Sequence, residues 1–147
     1  MRKIGLGAEH GGYELKEKIK KYLNEKGYEL KDYGTFSKDS VDYPDFAKLV
    51  AEGVVNKEVD CGMIFCGTGI GISIAANKVK GIRCANLSDT YSAAKSVEHN
   101  NCNMIALGGR TVGEEIAYTI VDAYLSAKFE GGRHQKRVDK IMKIEEE

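Results

Sequence analysis

Met63-Ile64-Phe65-Cys66-Gly67-Thr68-Gly69-Ile70-Gly71-Ile72-Ser73-Ile74-Ala75-Ala76-Asn77-Lys78 is the stretch whose reading decides the fold. It opens on a continuously apolar run, as a strand covered on both faces does. It closes on residues that suit a helix. The alternating glycines Gly67, Gly69 and Gly71 therefore occupy a strand-to-helix turn, where free backbone N–H groups and the helix dipole favour an anion. Cys66 stands directly before them at the strand end, and the same field favours its thiolate. A thiolate that takes a proton, next to a backbone that holds the resulting oxyanion, is the chemistry this arrangement suits.

Three other phosphate-binding loops fail on a named residue. A dinucleotide fingerprint needs its third glycine one residue later than Gly71, and a Walker loop needs a Gly-Lys-Ser/Thr that is absent. A cysteine phosphatase needs an arginine where Ile72 stands.

Working outward, strands are predicted over 3–8, 28–33, 62–66, 82–87 and 103–108. Helices are predicted between and after them over 12–26, 45–56, 70–78, 90–98 and 113–127. The first helix carries an apolar stripe of Leu15, Ile19, Tyr22 and Leu23, with lysines and glutamates elsewhere. The fifth carries Ile116, Ile120, Val121, Tyr124 and Leu125. The alternation predicts a Rossmann-like three-layer α/β/α sandwich around a five-stranded parallel sheet. Ligands of such sheets lie beyond the carboxyl ends of the strands. That rule selects Glu9-His10, the Cys66 loop, Ser88-Asp89 and Gly109-Arg110.

A final helix is expected from Arg133 to about Ile144, opened by Gly131-Gly132. Val138, Ile141 and Met142 give it an apolar stripe, so it is expected to dock on something. Its first turns hold Arg133, His134, Lys136 and Arg137, the wrong sign for a helix N-terminus. Arg133 and Arg137 project from one face, where a bound anion would offset the cost. The alternative is a solvated basic end.

The 147 residues suit one domain, 1–147, with 131–147 as its docking helix. With 22 basic and 22 acidic side chains, the formal charge of zero points to no nucleic-acid or membrane partner. No segment is apolar for long enough to span a bilayer. Cys61, Cys66, Cys84 and Cys102 form no CxxC pair, which suits a cytoplasmic protein with reduced thiols. His10, His99 and His134 all fall at expected element ends, and none is spaced as in a zinc motif, so no metal is expected. Pro44, the only proline, suits the opening of the second helix.

With Glu9-His10-Gly11-Gly12, Asp42-Tyr43-Pro44, the Cys66–Lys78 segment, His99-Asn100 and Gly131-Gly132-Arg133-His134-Gln135-x-Arg137 in hand, the chain resembles the ribose-5-phosphate isomerase B family, which also includes galactose- and allose-phosphate isomerases. The likeness covers nearly the whole chain. It implies reversible conversion of ribose 5-phosphate to ribulose 5-phosphate, a pentose phosphate pathway reaction, with no cofactor and no metal. By resemblance Cys66 is the base that moves a proton between C1 and C2. A second branch of the family uses a glutamate at the position of Ile72, and its absence here favours Cys66.

The resemblance also assigns the remaining roles. Backbone N–H groups of Gly67, Thr68, Gly69, Ile70 and Gly71 hold the enediolate oxygen, and the Thr68 hydroxyl shuttles a proton. His99 opens the furanose ring. His10, Arg110, Arg133 and Arg137 hold the phosphate, while Asn100 and Tyr43 line the sugar. It further implies a homodimer, or a tetramer of dimers, with His99 and Asn100 supplied by the neighbouring subunit and the final helix at the interface. Glu9 departs from the aspartate of most relatives; its carboxylate is expected on a sugar hydroxyl. That longer side chain bears on the preferred sugar and not on the reaction class, so an allose or galactose 6-phosphate isomerase is the alternative within the class. A sugar-phosphate-binding module without catalysis is the alternative outside it, and retention of Cys66, Thr68 and His99 together argues against it.

Overall fold

The computed structural model describes residues 2–147. Five strands, β1 (Lys3–Ala8), β2 (Glu29–Asp32), β3 (Cys61–Cys66), β4 (Cys84–Asn86) and β5 (Met104–Gly108), form one sheet. All pairings are parallel, in the order β2-β1-β3-β5-β4. The helices are α1 (Tyr13–Glu25), α2 (Tyr43–Val55), α3 (Ile70–Asn77), α4 (Thr90–Glu98), α5 (Glu114–Ser126) and α6 (Arg133–Ile144). The three-layer α/β sandwich is as expected. β1 has the expected bounds and β3 begins one residue earlier, while β2, β4 and β5 are shorter than expected because only the paired residues belong to the sheet; β4 keeps three residues of the expected 82–87.

Side-chain alternation along the strands builds two cores. Leu6, Met63, Phe65, Ile105 and Leu107 face α1, α4 and α5, while Ile64, Cys66, Met104 and Ala106 face α2 and α3. On the second face β1 offers only glycine, and a Cβ at Gly7 or Gly62 would come within 2.6 Å of a Val50 methyl. The missing side chains let α2 lie directly on the sheet.

Two helical stripes differ from expectation. In α5 the buried face is Ala117, Ile120, Val121 and Tyr124, and Ile116 is half exposed because it lies just outside that arc. In α1, Lys16 was expected among the solvated lysines but is fully buried. Its ammonium donates to both oxygens of Asp32 at 2.7 Å and to the Thr35 carbonyl at 2.8 Å. Those partners satisfy the buried charge and tie α1 to the loop that follows β2.

Helix α6 begins after Gly131 and Gly132, both at positive φ. It buries His134 and Val138. The Glu145 carboxylate accepts from the Gly81 N–H, and Arg83 reaches the Met142 sulfur. Ile141 and Ile144 remain exposed, so only part of the apolar stripe is covered by this chain.

Candidate active site

The chain runs from β1 to β2 on one side of β1 and reaches β3 on the other, so the sheet reverses direction between β1 and β3. A crevice opens beyond the strand ends at such a point. Glu9-His10 leave β1 there, Cys66 ends β3 and Gly109-Arg110 follow β5.

Backbone bonds knit the three loops together. Glu9 N–H donates to the Phe65 carbonyl, Gly109 N–H to the Cys66 carbonyl and Arg110 N–H to the Gly67 carbonyl. Cys66 is buried, and its sulfur accepts the Gly69 N–H at 3.1 Å. Gly69 has φ +80°, and a Cβ there would fall 2.5 Å from Asn86 Oδ1. Only glycine therefore suits the residue whose N–H addresses the sulfur. Thr68 is exposed, and its Oγ1 accepts from the Ile70 N–H at 3.2 Å, leaving the hydroxyl proton free to donate. The expected cradle narrows accordingly: the Gly69 and Ile70 N–H groups are taken. Among the described residues, those of Gly67, Thr68 and Gly71 have no partner. Tyr43 covers Gly71, where a Cβ would meet its ring at 2.7 Å.

Of the other three thiols, Cys61 is buried and Cys84 and Cys102 are partly covered. Burial pushes Cys61 and Cys102 up to about 11 and Cys84 higher still. They are structural cysteines.

His10 is half-buried, and its Nδ1 lies 3.2 Å from the Val41 N–H, which leaves Nε2 open towards the cleft. It lines a cleft of about 290 Å³ with Gly11, Lys38, Gly109 and Arg110. Glu9 is buried and one carboxylate oxygen accepts the Gly11 N–H, while the other lies 3.3 Å from His10 Nδ1. That carboxylate braces its own loop. Ser88-Asp89, also selected by the strand-end rule, serves the backbone: Asp89 caps α4 by accepting the Ser92 N–H.

A second group forms where α4 ends and α6 begins. His99 is the C-cap of α4 and stacks on His134, ring centroids 4.2 Å apart and planes 10° apart. Glu130 Oε1 lies 3.4 Å from His134 Nε2 and 3.8 Å from His99 Nε2. The sequence spacing gave no metal motif, yet the fold gathers potential ligand atoms of these three residues within 4.8 Å of one another. Parallel rings point their in-plane lone pairs side by side, so they do not converge on one ion. Asn100, Arg133 and Arg137 are exposed around this cluster, and neither arginine, nor Arg110 on the first group, has an ion pair among the described residues. Sequence reasoning missed Glu130, Val41 and Asn86; none of them belongs to a motif, and each acts through a contact made only by folding.

No hydrogen bond or ion pair among the described residues joins the strand-end group to the helix-end group. No helix is long and apolar enough to cross a membrane.

The switch-point crevice, the thiol at the end of β3 and the open N–H groups beside it define a doubly wound α/β protein that sets a buried cysteine sulfur beside unpartnered backbone donors. The family described as Ribose/Galactose Isomerase matches residues 4–141, and the chain belongs to it. It is 51% identical over 146 residues to ribose-5-phosphate isomerase B of Escherichia coli, covering 99% of this chain and 98% of that one. The structure of ribose-5-phosphate isomerase B from Clostridium thermocellum superposes with a TM-score of 0.97 at 55% identity, over 98% of this chain and 97% of that one. That of the Mycoplasma genitalium enzyme with bound ribulose-5-phosphate gives 0.94 at 43% identity, over 99% and 97%.

Proposed function

We propose that the protein interconverts ribose 5-phosphate and ribulose 5-phosphate, with Cys66 as the proton-transferring base. The observation that carries this reading is the Cys66 sulfur at the sheet's switch point, with the Gly69 N–H on it and three free N–H groups alongside. On the opened aldose the thiolate takes the C2 proton. The carbonyl oxygen at C1 becomes the enediolate oxyanion, and the N–H groups of Gly67, Thr68 and Gly71 stabilise it. The same thiol then returns the proton to C1 while the Thr68 hydroxyl passes the O2 proton to O1, which leaves the ketose. General-base help of this kind is worth ~10²–10⁴ in rate, and one oxyanion donor roughly 3 kcal/mol.

His99 moves the proton between the anomeric hydroxyl and the ring oxygen. His10, Arg110, Arg133 and Arg137 take the phosphate, which positions C1 and C2 against the sulfur. Asn100 and Tyr43 line the sugar. The reaction needs neither metal nor organic cofactor. Because the two residue groups do not meet within a chain, we take the working unit to be a homodimer in which one copy supplies Cys66 and its neighbour supplies His99 and Asn100. Half-exposed Ile70 and Ile74 share one face of α3. A groove of about 400 Å³ lined by Asn77, Ile82, Cys84, Asn100, Ile141 and Ile144 supports an interface carried by α3 and α6. The four free cysteines suit the reducing cytoplasm.

The test is isomerase kinetics on ribose 5-phosphate beside allose 6-phosphate, in the presence of a chelator. Chelator-resistant turnover that favours the pentose is expected. Preference for the hexose would reassign the substrate, and no turnover on either would leave a binding module.

A further inference from the structure

We infer that His134, with Glu130 beside it, is a positioning residue that holds the His99 ring for its proton transfers. The inference rests on the reading of His99 as the ring-opening group. His99 sits where a helix ends, with its side chain 35% exposed and, among the described residues, no hydrogen bond that fixes its ring. A histidine so placed turns about two side-chain torsions. Its one flat neighbour is His134, parallel to within 10°.

His134 can serve as a fixed surface because it is itself held. It is only 7% exposed, it lies in the first turn of α6, and its N–H donates to the Gly131 carbonyl at 3.0 Å. The segment before it is tied to α4 by the Glu130 N–H on the Glu98 carbonyl, also at 3.0 Å, next to His99 in the chain. The two rings thus come from elements joined one residue before His99 and four residues before His134. Glu130 Oε1 lies over the Nε2 edges of both, at 3.4 and 3.8 Å, where a carboxylate attracts an imidazolium.

Burial, then His99, then Arg133 push the ionisation of His134 down, with Arg137 adding to them and Glu130 opposing. His134 is thereby a flat, uncharged face against which the His99 ring packs. One ring of the pair handles protons and the other supplies the surface.

Two readouts on the same protein separate positioning from structural support. The first is turnover of ribose 5-phosphate, which needs ring opening. The second is wash-out of the C1 hydrogens of ribulose 5-phosphate into D2O, followed by NMR. The ketose has no hydroxyl placed to close a five-membered ring, so wash-out needs Cys66 and the enediolate alone. His134→Ala is expected to lower turnover roughly ten- to a hundredfold while wash-out changes by less than about twofold, as a misplaced catalytic group implies. His134→Phe, which keeps the flat face without the nitrogens, should recover most of the loss. Equal falls in both readouts for both variants, or unaltered turnover in His134→Ala, would overturn the inference. Should the alanine variant not fold, the same split in Glu130→Gln decides: a several-fold fall in turnover alone supports positioning, and a parallel fall or no fall refutes it. His99→Asn separates the two layers, because unaltered turnover in that variant would sink the ring-opening reading itself.

Discussion

The loops at the strand ends and the junction of α4 with α6 handle charge in opposite ways. Around Cys66 the polar groups are backbone: Gly69 N–H on the sulfur, Glu9, Gly109 and Arg110 N–H groups on neighbouring carbonyls, glycines where a Cβ would collide. That geometry is fixed by the parallel sheet beneath it. Around His99 the polar groups are long or rotatable side chains, with Arg133 and Arg137 exposed and without an ion pair among the described residues. The first region is held together within one chain. The second is a set of exposed cations beside a stacked imidazole pair, which the proposed function assigns to a phosphate in another copy's crevice. Rigid backbone suits the proton transfer, which tolerates little displacement. Side-chain cations suit capture of a phosphate remote from the chemistry.

Replacing Cys66 with alanine should produce the largest effect at the first region: a loss of ~10²–10⁴ in turnover with the melting temperature nearly unchanged. Cys61→Ala, at a thiol that burial pushes up to about 11, should leave turnover alone. Equal losses in both variants would break the distinction between a working and a structural thiol.

Support beneath the first region should show in stability. Lys16→Met leaves the Asp32 carboxylate with only Lys20 and the Gly34 N–H and is expected to cost roughly 1.5–3 kcal/mol in denaturant unfolding, the worth of a hydrogen bond to a charged group. Burial works against that carboxylate, but the Lys16 hydrogen bond, the Gly34 N–H and Lys20 outweigh it and hold it below the ordinary 3.8. A depressed carboxyl contributes stability above its unfolded value and loses it as pH falls through the folded one. The acid limb of the wild-type melting curve should therefore steepen below about pH 4, and Asp32→Asn should flatten it.

The second region should respond more mildly. Arg137→Ala is expected to reduce kcat/KM by roughly one to two orders of magnitude, chiefly through KM, because it removes remote binding energy. The residual activity of that variant should fall less steeply with added salt than the wild type, since one exposed charge fewer is screened. A loss confined to kcat would move Arg137 into the chemistry and blur the contrast.

What was legible in the sequence follows the same division. The Cys66 turn could be read because a strand, a glycine turn and a helix are local and consecutive, and the sheet order then fixes where the turn lies. The α6 cations could be read because their sign offends a helix N-terminus. The His99–His134 stack could not, since it depends on α6 folding back on α4 through the Glu130–Glu98 bond. Lys16 was misread because an amphipathic pattern cannot show a carboxylate supplied by β2. The strand-end rule chose Ser88-Asp89 correctly as a location but could not tell a cap from a ligand contact.

The measurement that bears most directly on a site shared between these two regions of different copies is complementation. Cys66→Ala and His99→Asn chains carrying different tags are co-expressed, and the mixed dimer is purified. One crevice in that dimer then carries both lesions and the other carries neither. The expected result is about half the wild-type turnover per dimer, far above either parent. A mixed dimer no more active than its parents would contradict a site shared between two copies and return Cys66 and His99 to the same chain.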